Sequence, residues 1–205
     1  MTHIHYRKAV GHDFDTIADM FAANMDLSVF TSVTDTDALK HLATVLAAGD
    51  FMRSTFTEIA EHDGEMCGVI LGSTRMTREK AVTFDYPGIV KKAKAALKET
   101  AEGQQVLRDL KQQQASFGQM PEHDFDSELL FFCVDKSYRR HQIGKTLVNA
   151  FENYLSSMGA KGYFLYSDSK CSYQYYENNG YRRIDTSVNG LDPQVEHYTY
   201  TKALV

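Results

Sequence analysis

Apolar positions alternate along "IHYRKAV" (Ile4 to Val10). They then fall on one helical stripe through Phe14, Ile17, Ala18, Phe21 and Met25, so the chain opens as a strand and a helix. A second helix is predicted over "DTDALKHLATVLAAG", capped by Asp35 or Asp37 and stopped by Gly49. Next, "RSTFTEIAEHDGEMCGVILGSTRM" reads as a β-hairpin. Phe56 and Ile59 lie on its first strand, Val69 to Leu71 on its second, and Asp63-Gly64 forms the turn. From Tyr86 to Gly118, Pro87-Gly88 opens a stretch of Lys, Ala, Glu and Gln that Gly103 interrupts. This reads as an inserted pair of helices over about 86–118.

The run "ELLFFCV" (Glu128 to Val134) is apolar without alternation, as expected of a central strand covered on both faces. After it, Ile143, Leu147, Ala150, Phe151, Tyr154, Leu155 and Met158 recur at helical spacing up to Gly159. "GYFLYSDS" is another strand, "CSYQYYENNG" a short helix ending near Gly180, and "YRRID" with "VEHYTYTKAL" a closing pair of strands. A strand, a helix and a strand in the middle of the chain imply a parallel pair joined by a right-handed crossover. The reading is α/β (α+β), as one domain over residues 1–205.

Composition narrows the function classes. A net charge of -5 disfavours a nucleic acid or an anionic membrane as main partner, so any anion site must be local. No apolar run reaches the ~18 residues of a membrane span, and the N-terminal segment lacks the apolar core of a secretory signal. Cys67, Cys133 and Cys171 are an odd count without CxxC spacing, which suits reduced thiols. The expectation is a soluble cytoplasmic protein, monomer or homodimer. His3 and His5 share a strand face and His123 lies in an acidic loop; without HExxH or CxxC spacing, no metal is expected.

The stretch "CVDKSYRRHQIGKTL" brings the strand into the helix through two arginines and a glycine. A helix N-terminus offers unpaired N–H groups and the positive end of the macrodipole. Arg139, Arg140 and Lys145 add charge there, and Gly144 permits close approach, so a pyrophosphate would fit. The alternative is that the arginines are solvated surface charges and Gly144 a turn residue.

This stretch resembles the phosphate-binding signature of the GNAT acyltransferases, the Gcn5-related N-acetyltransferases: Arg or Gln, two residues, Gly, one residue, then Gly or Ala. Arg139 holds the first position and Gly144 the last, while Gln142 stands where the middle glycine is usual. With Gln142 in right-handed helical geometry its side chain would point away, leaving the site weakened but present. "YQYYENNGY" is similar to the family's tyrosine-bearing segment. The resemblance spans residues 4–84 by order of elements and 127–203 by motif. It implies a mixed, mostly antiparallel sheet of six to seven strands, a central parallel pair splayed for acyl-CoA, and helices on both faces.

It also implies an acetyl-CoA-dependent N-acetyltransferase in which an amine attacks the thioester directly. As co-substrate, acetyl-CoA would run its pantetheine along Phe132, Cys133 and Val134, with an N–H at or near Phe132 as oxyanion donor. Its pyrophosphate would rest on Arg139, Arg140, His141, Gln142, Ile143, Gly144 and Lys145. Ser169 and Ser172 fall where the family lines the CoA arm, although Ser169 is also a cap candidate. Tyr176 takes the place of the catalytic tyrosine that protonates the leaving thiolate, with Tyr175 as fallback; the alternative is a core aromatic. Glu128 stands where some members carry a catalytic base. A solvated carboxylate beside Asp124 and Asp126 would instead attract a cationic substrate. No nucleophilic cysteine is expected. The acceptor would be a small-molecule or peptide amine. The competing class is an acyl-CoA-binding sensor or interaction module without turnover. The insert would serve as a lid, as a dimer contact or only as a solvated helix face.

Overall fold

The computed structural model describes residues 3–116 and 124–204. The expected end of the insert at 117–118 and His123 lie outside the described residues. Seven strands form one sheet in the order β1-β2-β3-β4-β5-β7-β6. They are β1 Ile4–Arg7, β2 Phe56–His62, β3 Glu65–Thr74, β4 Ser127–Val134, β5 Gly162–Asp168, β6 Arg182–Val188 and β7 Glu196–Ala203. All neighbours pair antiparallel except β4 and β5, the expected parallel pair. The β2–β3 turn has Asp63 at φ 51 and Gly64 at φ 83, the doubly positive geometry that matches the twist of a tight hairpin.

Helices cover both faces. α1 (Phe14–Asn24) and α2 (Thr36–Arg53) bury Phe14, Ile17, Phe21, Leu42 and Phe51 against Ile59, Val69, Leu71 and Phe131. On the opposite face α5 (Ile143–Ser157) packs Leu147, Phe151 and Leu155 onto Phe56, Ile70, Leu129 and Tyr163. α2 starts where expected, with the Asp35 carboxylate accepting the Ala38 N–H at 2.9 Å. It does not stop at Gly49. The helix runs one turn further, because Phe51 is fully buried and its packing outweighs the roughly 1 kcal/mol that a mid-helix glycine costs. That extra turn carries Asp50 and Arg53.

The inserted stretch forms α3 (Tyr86–Lys98) and α4 (Ala101–Ser116). Their break is at Glu99 and Thr100; Gly103 lies inside α4, where an added Cβ would meet the Leu97 carbonyl oxygen at 2.2 Å. The pair packs on the outer side of α2 and pins the loop after α1. The Asp109 carboxylate accepts from Thr31 Oγ1 at 2.7 Å and from the Ser32 N–H at 3.0 Å. Gln113 donates to the Val29 carbonyl at 2.7 Å and to Asn189 Oδ1 at 2.8 Å, and Asn189 donates to the same carbonyl at 2.8 Å. Buried amides satisfied in this way hold the Val29 carbonyl in place at the end of the short turn Leu27–Val29.

Candidate active site

β4 and β5 share one paired position, Glu128 with Phe164, and then part. The remainder of β4 therefore turns one backbone edge away from its parallel neighbour, open to an extended ligand. The gap belongs to a cleft of about 900 Å³ running from α1 and α2 to the start of α5.

A bulge sets the side chains along β4. Leu71 pairs with Phe131 and Gly72 with Leu129, so Leu130 has no partner on β3. The extra residue reverses the alternation. Leu129 points into the α5 core, whereas Phe131 and Cys133 point into the α1–α2 core. Burial pushes the Cys133 thiol up to about 12, which leaves it protonated and a poor nucleophile.

At one end of the cleft stand Lys136, Arg139, Arg140 and Lys145, around the first turn of α5. No side chain caps that helix, so its first N–H groups face the cleft beside four cations. Gln142 contradicts the expected geometry: it is left-handed, at φ 61 and ψ 6, and Arg140 is left-handed as well at φ 69. The chain must reverse sharply between the short 3-10 turn Lys136–Tyr138 and α5, and the usual glycine would do this without crowding. Gly144 faces β4: a Cβ there would lie 3.1 Å from Phe132 Cζ and 3.6 Å from Val134 Cγ2, so its smallness lets α5 start close to the strand.

α6 (Gln174–Asn178) brings Tyr175 and Tyr176 to the cleft floor. Tyr176 is half-buried among the rings of Tyr175, Tyr181 and Tyr200, with centroids 5.2 to 5.5 Å away. Burial, then the neighbouring Cys171 and Tyr181, push its phenol above the ordinary range, so it holds its proton at neutral pH. Tyr175 packs on Phe132 at 5.5 Å.

At the other end Glu128, only 15 % exposed, is tied to Arg53, whose Nη1 donates at 2.9 Å. Arg53 Nη2 also donates to Asp50 at 3.0 Å. Burial drives the Asp50 carboxyl up to about 6, with Arg53 opposing and Glu128 adding to the rise. Phe21, Met25, Val29, Phe30 and Leu46 form the apolar wall at this end, and Tyr166 stands on β5.

Phe132, Cys133, Val134, Arg139, Arg140, Gln142, Ile143, Gly144, Lys145, Ser172, Tyr176 and Glu128 thus border one cleft. His141 is exposed outside it. Ser169 is also outside; its hydroxyl accepts the Glu196 N–H at 3.1 Å and its own N–H donates to the Glu196 carbonyl, tying β5 to β7. Sequence reading missed Asp50, Arg53 and Tyr166. The buried Phe51 between the first two was the available signal that α2 continues.

No curated protein matches the sequence. Among solved structures, the fold is similar to the PaiA N-acetyltransferase from Thermoplasma acidophilum in complex with coenzyme A. That pair has TM-score 0.58 and 14 % identity, over 98 % of this chain and 99 % of the other. Ard1 from Thermoplasma volcanium aligns with TM-score 0.55 at 14 % identity, over 98 % of each chain. The ribosomal-protein-S18-alanine N-acetyltransferase from Escherichia coli aligns with TM-score 0.56 at 10 % identity, over 98 % of this chain and 94 % of that one. The acetyltransferase (GNAT) domain model matches residues 73–203, which hold the splayed strands, the uncapped helix and the tyrosine segment. With that match over more than half its length, the chain belongs to the GNAT acetyltransferases.

Proposed function

We propose that this protein is a cytoplasmic N-acetyltransferase that moves the acetyl group of acetyl-CoA to a primary amine by direct attack on the thioester. The observation that carries the reading is the union, in one cleft, of an unpaired β4 edge with an uncapped α5 N-terminus among Lys136, Arg139, Arg140 and Lys145. An extended amide-bearing arm is matched by the strand edge, and a pyrophosphate by the helix end. When bound there, acetyl-CoA supplies the activated acyl group.

This chain's residues do the rest. Where β4 parts from β5, its open edge would present a backbone N–H to polarise a carbonyl, the role expected near Phe132. Tyr176 holds a proton for the departing thiolate. Ser172 and Tyr175 border the path of the arm. A second reading, a CoA-binding module without turnover, is favoured by one observation: Arg53 engages Glu128, the expected base.

The first test is thermal stability on titration with acetyl-CoA. Wild type should be stabilised, and Arg139→Ala/Arg140→Ala should lose the effect. No response from either would end the assignment. Tyr176→Phe that binds acetyl-CoA normally and loses transfer supports an enzyme; a wild type that binds but never transfers supports the module.

A further inference from the structure

Glu128 is a poor candidate for the group that takes the acceptor's proton. Arg53 grips both of its oxygens, at 2.9 and 3.4 Å. Asp50 is differently placed. It sits in the last turn of α2, where the helix carbonyls leave partial negative charge that repels a carboxylate. Its side chain is 20 % exposed, and its hydrogen bond to Arg53 uses Oδ1; among the described residues Oδ2 has no hydrogen bond.

The surrounding charges do not balance. One guanidinium on α2 serves two carboxylates, Asp50 on its own helix and Glu128 on β4. From β5 the neighbour is Tyr166, a neutral phenol that burial holds protonated. From the segment after β3, Lys80 reaches the Arg53 carbonyl oxygen at 3.4 Å and neither carboxylate. With both acids ionised the wall carries one uncompensated negative charge facing the cleft, a place for a second cation. Burial also gives Asp50 a proton affinity close to the working range of a general base.

We propose that Asp50 is the proton acceptor of the transfer and, with Glu128, the counter-charge that seats the acceptor's ammonium group. This rests on the acetyltransferase reading above. Asp50 takes one ammonium proton, and the freed nitrogen lone pair bonds to the thioester carbonyl carbon. The C–S bond breaks, and the thiolate sulfur takes the Tyr176 proton. The nitrogen's second proton returns to Tyr176 through water, and Asp50 releases its own to solvent. One ammonium and one thioester thus give one amide, one thiol and one proton. The apolar wall of Phe21, Met25 and Phe30 guides the choice of probe, an amine on a hydrocarbon body.

The test compares wild type, Asp50→Asn and Glu128→Gln. Acetyl-CoA binding is measured by calorimetry, and thiol release with phenethylamine, spermidine and an alanine-terminated peptide from pH 5 to 9. Asp50→Asn should bind acetyl-CoA as wild type does and lose about 10²-fold or more in kcat/KM. The wild-type rise in kcat/KM near pH 6 should vanish with it. In parallel, the wild-type carboxyl signal in protein labelled with ¹³C-aspartate, assigned by its loss in Asp50→Asn, should titrate near 6 and shift when phenethylamine is added. Transfer and pH limb retained in Asp50→Asn but lost in Glu128→Gln would overturn the proposal. So would a carboxyl that titrates below 5 or ignores phenethylamine, even if none of the three acceptors turns over. Failure of wild type to bind acetyl-CoA overturns the underlying reading instead, and is visible in the calorimetry.

Discussion

Replacing Gln142 by glycine should stabilise the protein. The residue is left-handed at φ 61, makes no capping hydrogen bond and is exposed, so little contact is lost with its side chain. Crowding of Cβ against the backbone in that conformation costs about 1–2 kcal/mol for an ordinary residue. Glycine removes it, but its greater freedom in the unfolded chain takes back about 0.5–1 kcal/mol. The difference is a gain centred on roughly 0.75 kcal/mol, which in a chain of this size raises Tm by about 2–3 °C. Urea unfolding and calorimetry would measure it. Gln142→Ala keeps the penalty and should stay within about 0.5 kcal/mol of wild type. Gln142→Val adds a branched Cβ and should lose about 1 kcal/mol or more. Acetyl-CoA affinity should not fall in the glycine variant. A glycine variant no more stable than wild type, or an alanine variant that matches it, would refute the strain argument.

Three further outcomes follow from the packing. Gly144→Ala places a methyl 3.1 Å from Phe132 Cζ and should cost about 1–3 kcal/mol while pushing α5 off β4, so acetyl-CoA should bind more weakly by calorimetry. Asn189→Ala leaves the Val29 carbonyl with Gln113 as its one amide donor, takes one acceptor from the Gln113 amide, and removes the acceptor of the Leu191 and Asp192 N–H groups. A loss of about 2–4 kcal/mol in urea unfolding is expected, and, because Val29 walls the cleft, a higher KM for the amine with kcat little changed. Asp50→Asn should change stability with a definite sign. Burial pushes the folded carboxyl up to about 6, above the roughly 3.9 of a free aspartate. Wild-type stability relative to the neutral isostere therefore falls as pH rises from about 4 through 6. The variant should equal wild type near pH 3 and exceed it by up to about 3 kcal/mol near pH 8 in paired unfolding curves.

What was legible followed from periodicity and turn chemistry. The stripe on α5 survives intact because a single buried face decides every third or fourth residue. Asp63-Gly64 announces its hairpin because few other pairs tolerate two positive φ angles. The end of α2 was misread because Gly49 is a stop only where nothing beyond it packs, and Phe51 packs completely. Asp50 and Arg53 were hidden by that reading. The bulge at Leu130 leaves no mark in an unbroken apolar run, since either face accepts leucine or phenylalanine. The left-handed Gln142 was hidden for a different reason: the loop's geometry is imposed by where β4 ends and α5 begins, and the local residue has no preference for it.

The cleft is electrically divided, and the division follows from how the chain is wound. Four cations cluster where β4 hands over to α5, in a protein whose net charge is -5. Asp50 and Glu128 stand at the opposite end, where β4 begins and α2 finishes, with a single arginine between them. An anionic ligand is therefore oriented before any specific contact forms, its phosphates drawn to one end and its other terminus left at the other. The cationic acceptor proposed above would be drawn to the acidic end by the same field. The inserted helices hold that second end in shape: α4 grips the loop after α1 through Asp109 and the loop before β7 through Gln113 and Asn189. Among the described residues neither helix borders the cleft; on the reading proposed above, the insert would act as a buttress behind the acceptor wall. A pocket built from two loops that share buried amide bonds cannot loosen one without breaking the other. Variation in acceptor preference should accordingly be sought in the side chains of Phe21, Met25, Phe30 and Leu46, which the buttress positions, and not in the helices themselves.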